Sequence, residues 1–245
     1  MTAAVTTAVI LAAGRGTRLA GEVRDRPKGF LALGDRPIVE ESIERLRAAG
    51  IRDVVIVTGH LAAHYDALAA RLGAGVRTVH NPDYATSGSM YSLWCARAAV
   101  HGDFLLLESD LVYEPRALAT LLAHPGPDAI LLSGPTAAGD EVWVETRAGS
   151  LVAMSKRRED LGAVTGELVG ISRVSAPLHQ RMQRIAAEAF TRSLRFDYET
   201  DCLVAAAREQ PIPCVLVPDL VWGEIDDPAH LARVSRLIYP LVAAR

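Results

Sequence analysis

Val9-Ile10-Leu11-Ala12-Ala13-Gly14-Arg15-Gly16-Thr17-Arg18-Leu19, followed by Arg26-Pro27-Lys28, is where the chain declares its architecture. A short apolar run with little polar alternation reads as a strand buried on both faces, the habit of a parallel sheet. It empties into a glycine-rich loop. Gly14 and Gly16 let backbone N–H groups approach an anion with no side chain between them. Arg15, Arg18 and Lys28 bring positive charge to the same mouth. A glycine pair alone is a weak sign and serves any strand-to-loop turn. The Walker pattern G-x-x-x-x-G-K-[ST] is absent, and Leu19 stands where a dinucleotide fingerprint needs its third glycine.

Outward from this stretch, strands and helices alternate. The spacing predicts strands at Val5–Ala12, Val54–Val57, Val76–Val79, Phe104–Leu107 and Ile130–Leu132. Helices are expected at Ile38–Ala49, Leu61–Leu72, Ser89–Val100 and Arg116–Ala123. Such alternation predicts a doubly wound α/β sheet. The second half is less regular. Val142–Glu145 and Leu151–Ser155 flank a turn at Arg147–Ser150, and Glu167–Val174 and Val215–Val217 read as strands. Pro177–Ala189, Tyr198–Arg208 and Pro228–Tyr239 read as helices, the last stopped or kinked at Pro240. With no linker or repeat, residues 1–245 are expected to form a single domain. Its halves are 1–135, carrying the anion loop, and 136–245. Ala20–Arg26 is polar and is expected to be a flap over the bound anion.

Composition removes several classes. A net charge of −3 gives no basic field for nucleic acid. No apolar run approaches the ~20 residues of a membrane span, and no secretory leader is expected at the N-terminus. Cys95, Cys202 and Cys214 show no C-x-x-C spacing and suit reduced thiols in a cytoplasmic protein. Of 26 basic residues all but Lys28 and Lys156 are arginine, so those two positions suit a compact ammonium that a planar guanidinium does not replace.

Acidic residues supply the counterpart. Asp110 stands just beyond Phe104–Leu107, in Glu108-Ser109-Asp110. A carboxylate at the C-terminal end of a parallel strand faces the ligand crevice, and a hard cation such as Mg²⁺ takes oxygen ligands. An ordinary turn aspartate fits the same spacing. Glu224-Ile225-Asp226-Asp227 follows Trp222-Gly223. On extended chain Glu224 and Asp226 share a face, free to complete a metal shell with Asp110. Asp227-Pro228 reads as the cap and first turn of the last helix. Phe196-Asp197-Tyr198-Glu199-Thr200-Asp201 interleaves aromatics with acids. With Trp222 it could cage a cationic amine, or it is simply an acidic helix start. Asp140, Glu141 and Trp143 are further candidates for that pocket. His60 and His64 are spaced i,i+4 without a third ligand, and Ser109 and Ser133 lack recognisable triad partners.

The full string L-A-A-G-x-G-x-R-L at Leu11–Leu19, with R-P-K at Arg26–Lys28, resembles the signature of the GT-A-like nucleotidyltransferases. N-P-x-Y at Asn81–Tyr84, Y-S-L at Tyr91–Leu93 and W-x-E-I-D-D at Trp222–Asp227 resemble the phosphocholine and 2-aminoethylphosphonate cytidylyltransferase branch. Ser87-Gly88-Ser89 departs from it, standing where one or two asparagines are common. The resemblance implies a Rossmann-like three-layer α/β/α fold with a mixed, mainly parallel sheet. It implies transfer of CMP from CTP to a small phosphate or phosphonate acceptor, with loss of pyrophosphate. It assigns Arg15, Arg18 and Lys28 to the triphosphate and Lys156 to the reacting phosphoryl groups. Leu11, Ala12, Ala13, Gly14, Gly16, Thr17, Thr58, Gly59, Ser87, Ser89 and Ser109 fall to the nucleotide. Mg²⁺ falls to Asp110, Glu224 and Asp226, and the acceptor to Glu141, Tyr198, Glu199, Asp201 and Trp222. A homodimer is also implied. Two other readings remain open. One is a sugar-1-phosphate or inositol-phosphate nucleotidyltransferase, whose pocket should be rich in Asn and Gln, scarce here after residue 81. The other is a nucleotide-binding regulatory domain without catalysis.

Overall fold

Alternate residues of the first strand face opposite ways, and that sets the layers. In the computed structural model, which describes residues 4–19, 21 and 25–245, β1 (Thr7–Ala12) is buried along its whole length. Ala8, Ile10 and Ala12 join one core; Val9 and Leu11 join another. On the first face lie α1 (Ile38–Ala48), α2 (Ala62–Leu72) and α4 (Arg116–Ala123), through Val39, Ile43, Leu46, Tyr65, Leu68, Leu118 and Leu121. On the other lie α3 (Ser89–Cys95), α5 (Ala176–Phe190) and α6 (Val204–Ala207). Of the expected flap at Ala20–Arg26, residues 20 and 22–24 lie outside the described residues.

The sheet is mixed and mainly parallel. β2 (Asp53–Thr58) and β3 (Val76–His80) extend it from one side of β1, and β4 (Phe104–Glu108) pairs parallel on the other side. β9 (Gly166–Val174) runs antiparallel between β4 and β6 (Ala129–Ser133), and β10 (Cys214–Val217) closes the edge. The hairpin of β7 (Trp143–Arg147) and β8 (Ser150–Ser155) hangs from β9. Strand order reverses between β1 and β4, and a doubly wound sheet opens its ligand crevice at such a switch point.

Two elements escape the sequence patterns. β5 (Leu111–Tyr113) and β11 (Trp222–Glu224) form a short antiparallel ribbon. The closing helix is also not continuous. α7 (Pro228–Arg233) passes into a π-helical turn (Val234–Ile238) and then α8 (Tyr239–Ala243), so Pro240 sits in the first turn of a new segment. The wider turn accommodates a residue with no N–H to donate. Among the described residues no helix is long and apolar enough to cross a membrane.

Candidate active site

Two pockets meet at Glu108. The first, of about 190 Å³, lies beyond the ends of β1 and β4. It is lined by Leu11–Gly14, Lys28, Tyr65, Tyr84, Ser87, Gly88, Ser89, Ser92 and Glu108–Asp110. Ser109 N donates to Leu11 O at 3.0 Å, so strand pairing continues to the lip. Gly16 has φ +60°, and a β-carbon there would stand 3.0 Å from Lys28 Cγ. A side chain would strain the loop and displace the lysine. A β-carbon on Gly59 would come within 2.5 Å of Tyr84 Cβ and 2.7 Å of Ala13 O. Glycine at that position seats the Tyr84 ring against the anion loop.

Opposite charges face each other across the shared lip. Lys28 Nζ donates to Asp110 Oδ2 at 2.7 Å and pairs with Asp226. Burial alone would depress the ammonium, but the two carboxylates outweigh it and hold Lys28 above the ordinary lysine range. Burial would likewise raise Asp226, yet Lys28 and Arg18 pull it down to about 2. Arg18 lies 2.6 Å from Asp226 and 3.7 Å from Asp140. The β5–β11 ribbon creates this meeting. It pairs Leu111 with Glu224, and Ile225 N donates to Asp110 O at 3.1 Å. Glu108, Asp110 and Glu224 thereby bring carboxylate oxygens within 4.8 Å of one another. Burial first, then their acidic neighbours, push Glu108 and Glu224 above the usual carboxylate range. Such an all-oxygen set suits a hard divalent cation.

The second pocket is built from side chains of distant elements. Thr136, Ala138, Asp140 and Glu141 come from the loop after β6, Lys156 from the end of β8, and Glu167 from β9. Glu108, Val142, Leu168, Gly170, Glu199, Trp222, Gly223, Glu224, Asp226 and Arg233 complete it. Glu167 accepts from Thr136 N at 2.8 Å and Thr136 Oγ1 at 2.9 Å; burial raises its carboxyl to about 7. Burial also raises Glu199 to about 7, against the opposing charge of Lys156. Ser89 joins the two pockets: Tyr198 N donates to its Oγ at 3.0 Å, and that Oγ donates to Glu199 Oε2 at 3.1 Å.

The MobA-like NTP transferase domain matches residues 8–238 of the chain. The chain belongs to this family. CMP-5'-(3-aminopropyl)phosphonate synthase of Streptomyces rubellomurinus is 32% identical over 239 residues, 90% of this chain and 37% of that protein. Choline-phosphate cytidylyltransferase of Streptococcus pneumoniae is 35% identical over 99 residues, 40% of this chain and 42% of that protein. The matched stretch thus covers less than half the length of either. 2-Aminoethylphosphonate cytidylyltransferase of Lancefieldella rimae is 30% identical over 191 residues, 76% of this chain and 73% of that one. Among solved structures, the inositol-1-phosphate CTP transferase of T. maritima superposes with a TM-score of 0.81 at 21% identity. That match covers 98% of this chain and 97% of the other, and it is a likeness of fold.

Within this MobA-like transferase the expected residues do not all converge. Leu11, Ala12, Ala13, Gly14, Lys28, Ser87, Ser89 and Ser109 line the first pocket; Glu141, Lys156, Glu199, Trp222, Glu224 and Asp226 line the second. Asp110 also lines the first pocket, beside the Glu108 that both pockets share. Arg15 and Thr17 are exposed on the loop, and they and Gly16 lie outside the pocket lining. Thr58, expected at the base, is instead fully buried in the sheet with its hydroxyl toward Val79 O at 3.5 Å. The aromatic cage does not form. Tyr198 is 1% exposed and donates to Glu108 Oε1 at 3.1 Å, while Phe196 packs on the core. Trp222 turns its Nε1 to Ser133 Oγ at 2.8 Å, and Asp201 Oδ2 accepts from Asp197 N at 2.9 Å, away from the pocket. Sequence reasoning missed Tyr65, Glu108, Thr136, Glu167 and Arg233. Only Glu108 carried a signal: it ends β4 two residues before Asp110, at the C-terminal end of the strand where a carboxylate faces the crevice.

Proposed function

We propose that this MobA-like transferase moves CMP from CTP to a small phosphate or phosphonate bearing an amino-alkyl head group, releasing pyrophosphate. The reading draws on the activities named for its relatives. The observation that carries it is the meeting at Glu108 of a glycine-loop cleft and an acid-lined pocket, with Lys28 and Arg18 facing Asp110 and Asp226 across the join. Leu11–Gly14 offer the nucleotide their backbone, and Lys28 and Arg18 offer the triphosphate their charge. An acceptor oxygen attacks the α-phosphorus in line, and the bond to the pyrophosphate oxygen breaks. The acceptor is already an anion at neutral pH, so no base is needed.

The obstacle is repulsion. Two unit charges 4 Å apart near a protein surface interact by about 4 kcal/mol. Lys28, Arg18, Lys156 and Arg233 offset it at the two ends of the join. Glu108, Asp110 and Glu224 fit Mg²⁺, with Asp226 beside them in the grip of Lys28. When bound, the ion supplies charge neutralisation for phosphoryl oxygens. Glu141, Glu167 and Glu199 suit the cationic end of the acceptor.

The test is pyrophosphate release with CTP, UTP and ATP, each against phosphocholine, 2-aminoethylphosphonate, glucose-1-phosphate and inositol-1-phosphate. Turnover of CTP with an amino-alkyl acceptor is expected. Turnover confined to the sugar or inositol phosphates would overturn the reading.

A further inference from the structure

The loop 134–142, between β6 and β7, forms one wall of the acid-lined pocket through Thr136, Ala138, Asp140 and Glu141. It holds an unfavourable shape. Ala137 has φ +55° and Gly139 φ +106°. A β-carbon disfavours the left-handed region, so Ala137 stays there only where the surroundings over-determine it. Two supports are charged side chains already described as pocket lining: Glu167 accepts twice from Thr136, and Arg233 Nη2 donates to Thr136 O at 2.9 Å. The third is His230 in α7. Its Nε2 lies 3.1 Å from Ala138 O and 3.3 Å from Asp140 Oδ1.

A carbonyl oxygen only accepts, so Nε2 carries the proton. Nδ1 is buried with no hydrogen-bond partner among the described residues. A buried imidazole that orphans one nitrogen is held for what the other nitrogen does. Helix capping does not explain it, since Asp227 Oδ1 already accepts from His230 N at 2.8 Å. Asp140 also reaches Arg18 of the glycine-rich loop, which reaches Asp226.

We infer that His230 is a positioning residue that clasps the 134–142 loop over the acceptor pocket and, through Asp140, ties that loop to Arg18. The consequence for turnover rests on the function proposed above; the clasp itself does not.

Two substitutions separate the clasp from mere packing. His230→Gln keeps a donor near Nε2, whereas His230→Leu removes it. Amide hydrogen exchange of the ligand-free protein is read over 134–142, with β1 as reference. In the leucine variant exchange of the loop should accelerate by about tenfold, as for a local opening, while β1 stays protected. KM for 2-aminoethylphosphonate should rise by about tenfold through misplacement of the pocket wall. KM for CTP should move far less, because Arg18 keeps Asp226. The glutamine variant should resemble wild type in both readouts. Unchanged exchange in the leucine variant, equal loss in both variants, or KM values for CTP and acceptor rising together would overturn the inference. If the leucine variant does not fold, Asp140→Ala cuts the tie through Asp140 on a part-exposed residue while the Ala138 bond stays, and a smaller acceleration of exchange over 134–142 with β1 still protected is required. If wild type turns over no amino-alkyl acceptor, the proposed function falls, and the exchange experiment still decides the clasp.

Discussion

The first pocket is drawn from the first 110 residues and the second from the whole chain from the end of β4 onward. Lining residues of the first lie between Leu11 and Asp110, and most are small: alanine, glycine and serine at strand ends and turns. Lining residues of the second lie between Glu108 and Arg233, and most are charged or polar groups carried there by a loop, a hairpin end, an antiparallel strand, a π-helical segment at Tyr198–Leu203 and a ribbon. An anion cradle is a local property of the chain, because N–H groups of neighbouring residues do the binding. A pocket for a small charged acceptor is a property of the whole fold, because its groups must converge from far apart.

That contrast can be broken by experiment. The largest effect is expected at the join, on the nucleotide side. Lys28→Ala removes the one ammonium that both Asp110 and Asp226 engage, and pyrophosphate release should fall by about 10³-fold. A Lys28→Ala enzyme within a few-fold of wild type would take the glycine-loop cleft out of the reaction. Glu108→Gln comes next. The amide oxygen can still accept from Tyr198, so the fold is spared, but one charge leaves the carboxylate group. The rate should fall by about 10²-fold, and the Mg²⁺ concentration for half-activation should rise by about tenfold. An unchanged Mg²⁺ requirement would return the third ligand position to Asp226.

These two variants also mark what the sequence makes legible. Lys28 stands in a contiguous string whose chemistry is local, and the structure places it on the cleft. Thr58 looked equally local, but period-two alternation turns it into the sheet, where its hydroxyl faces a neighbouring strand. The W-x-E-I-D-D string identified the acids but not their partner, because β5 and β11 are three residues each and pair across more than a hundred positions. Glu167 was unreadable for the same reason. It lies in a strand that is buried throughout, where a carboxylate contradicts the apolar pattern until its partners on the 134–142 loop are seen. The aromatic cage failed differently. The residues were correctly noticed, but burial claimed Tyr198 and Phe196 for the core, Trp222 spends its N–H on Ser133, and of the acids in that stretch only Glu199 lines the pocket.

Glu167 gives the smallest effect and the sharpest separation of the two pockets. Burial, against the two Thr136 hydrogen bonds, raises its carboxyl from an ordinary 4.5 to about 7. The folded value exceeds the unfolded one, so its favourable share is fully present below about pH 4.5 and is lost as pH rises through 7. The ligand-free protein should therefore lose stability between pH 5 and 8 on this account, by at most about 3 kcal/mol. Glu167→Gln should remove that slope, seen as a melting temperature at pH 8 no lower than that of wild type. Acceptor binding should run the opposite way. A cationic head group favours the ionised carboxylate, so wild-type KM for the acceptor should fall as pH rises from 6 to 8. In Glu167→Gln that fall should flatten, leaving only the titration of the acceptor's own phosphate or phosphonate. At pH 8 its KM for the acceptor should be about tenfold above wild type, the size of one lost charge-assisted contact. KM for CTP should not move in the same variant. If it rises in step, the acids of the second pocket serve the nucleotide as well, and the division of labour between the two pockets does not hold.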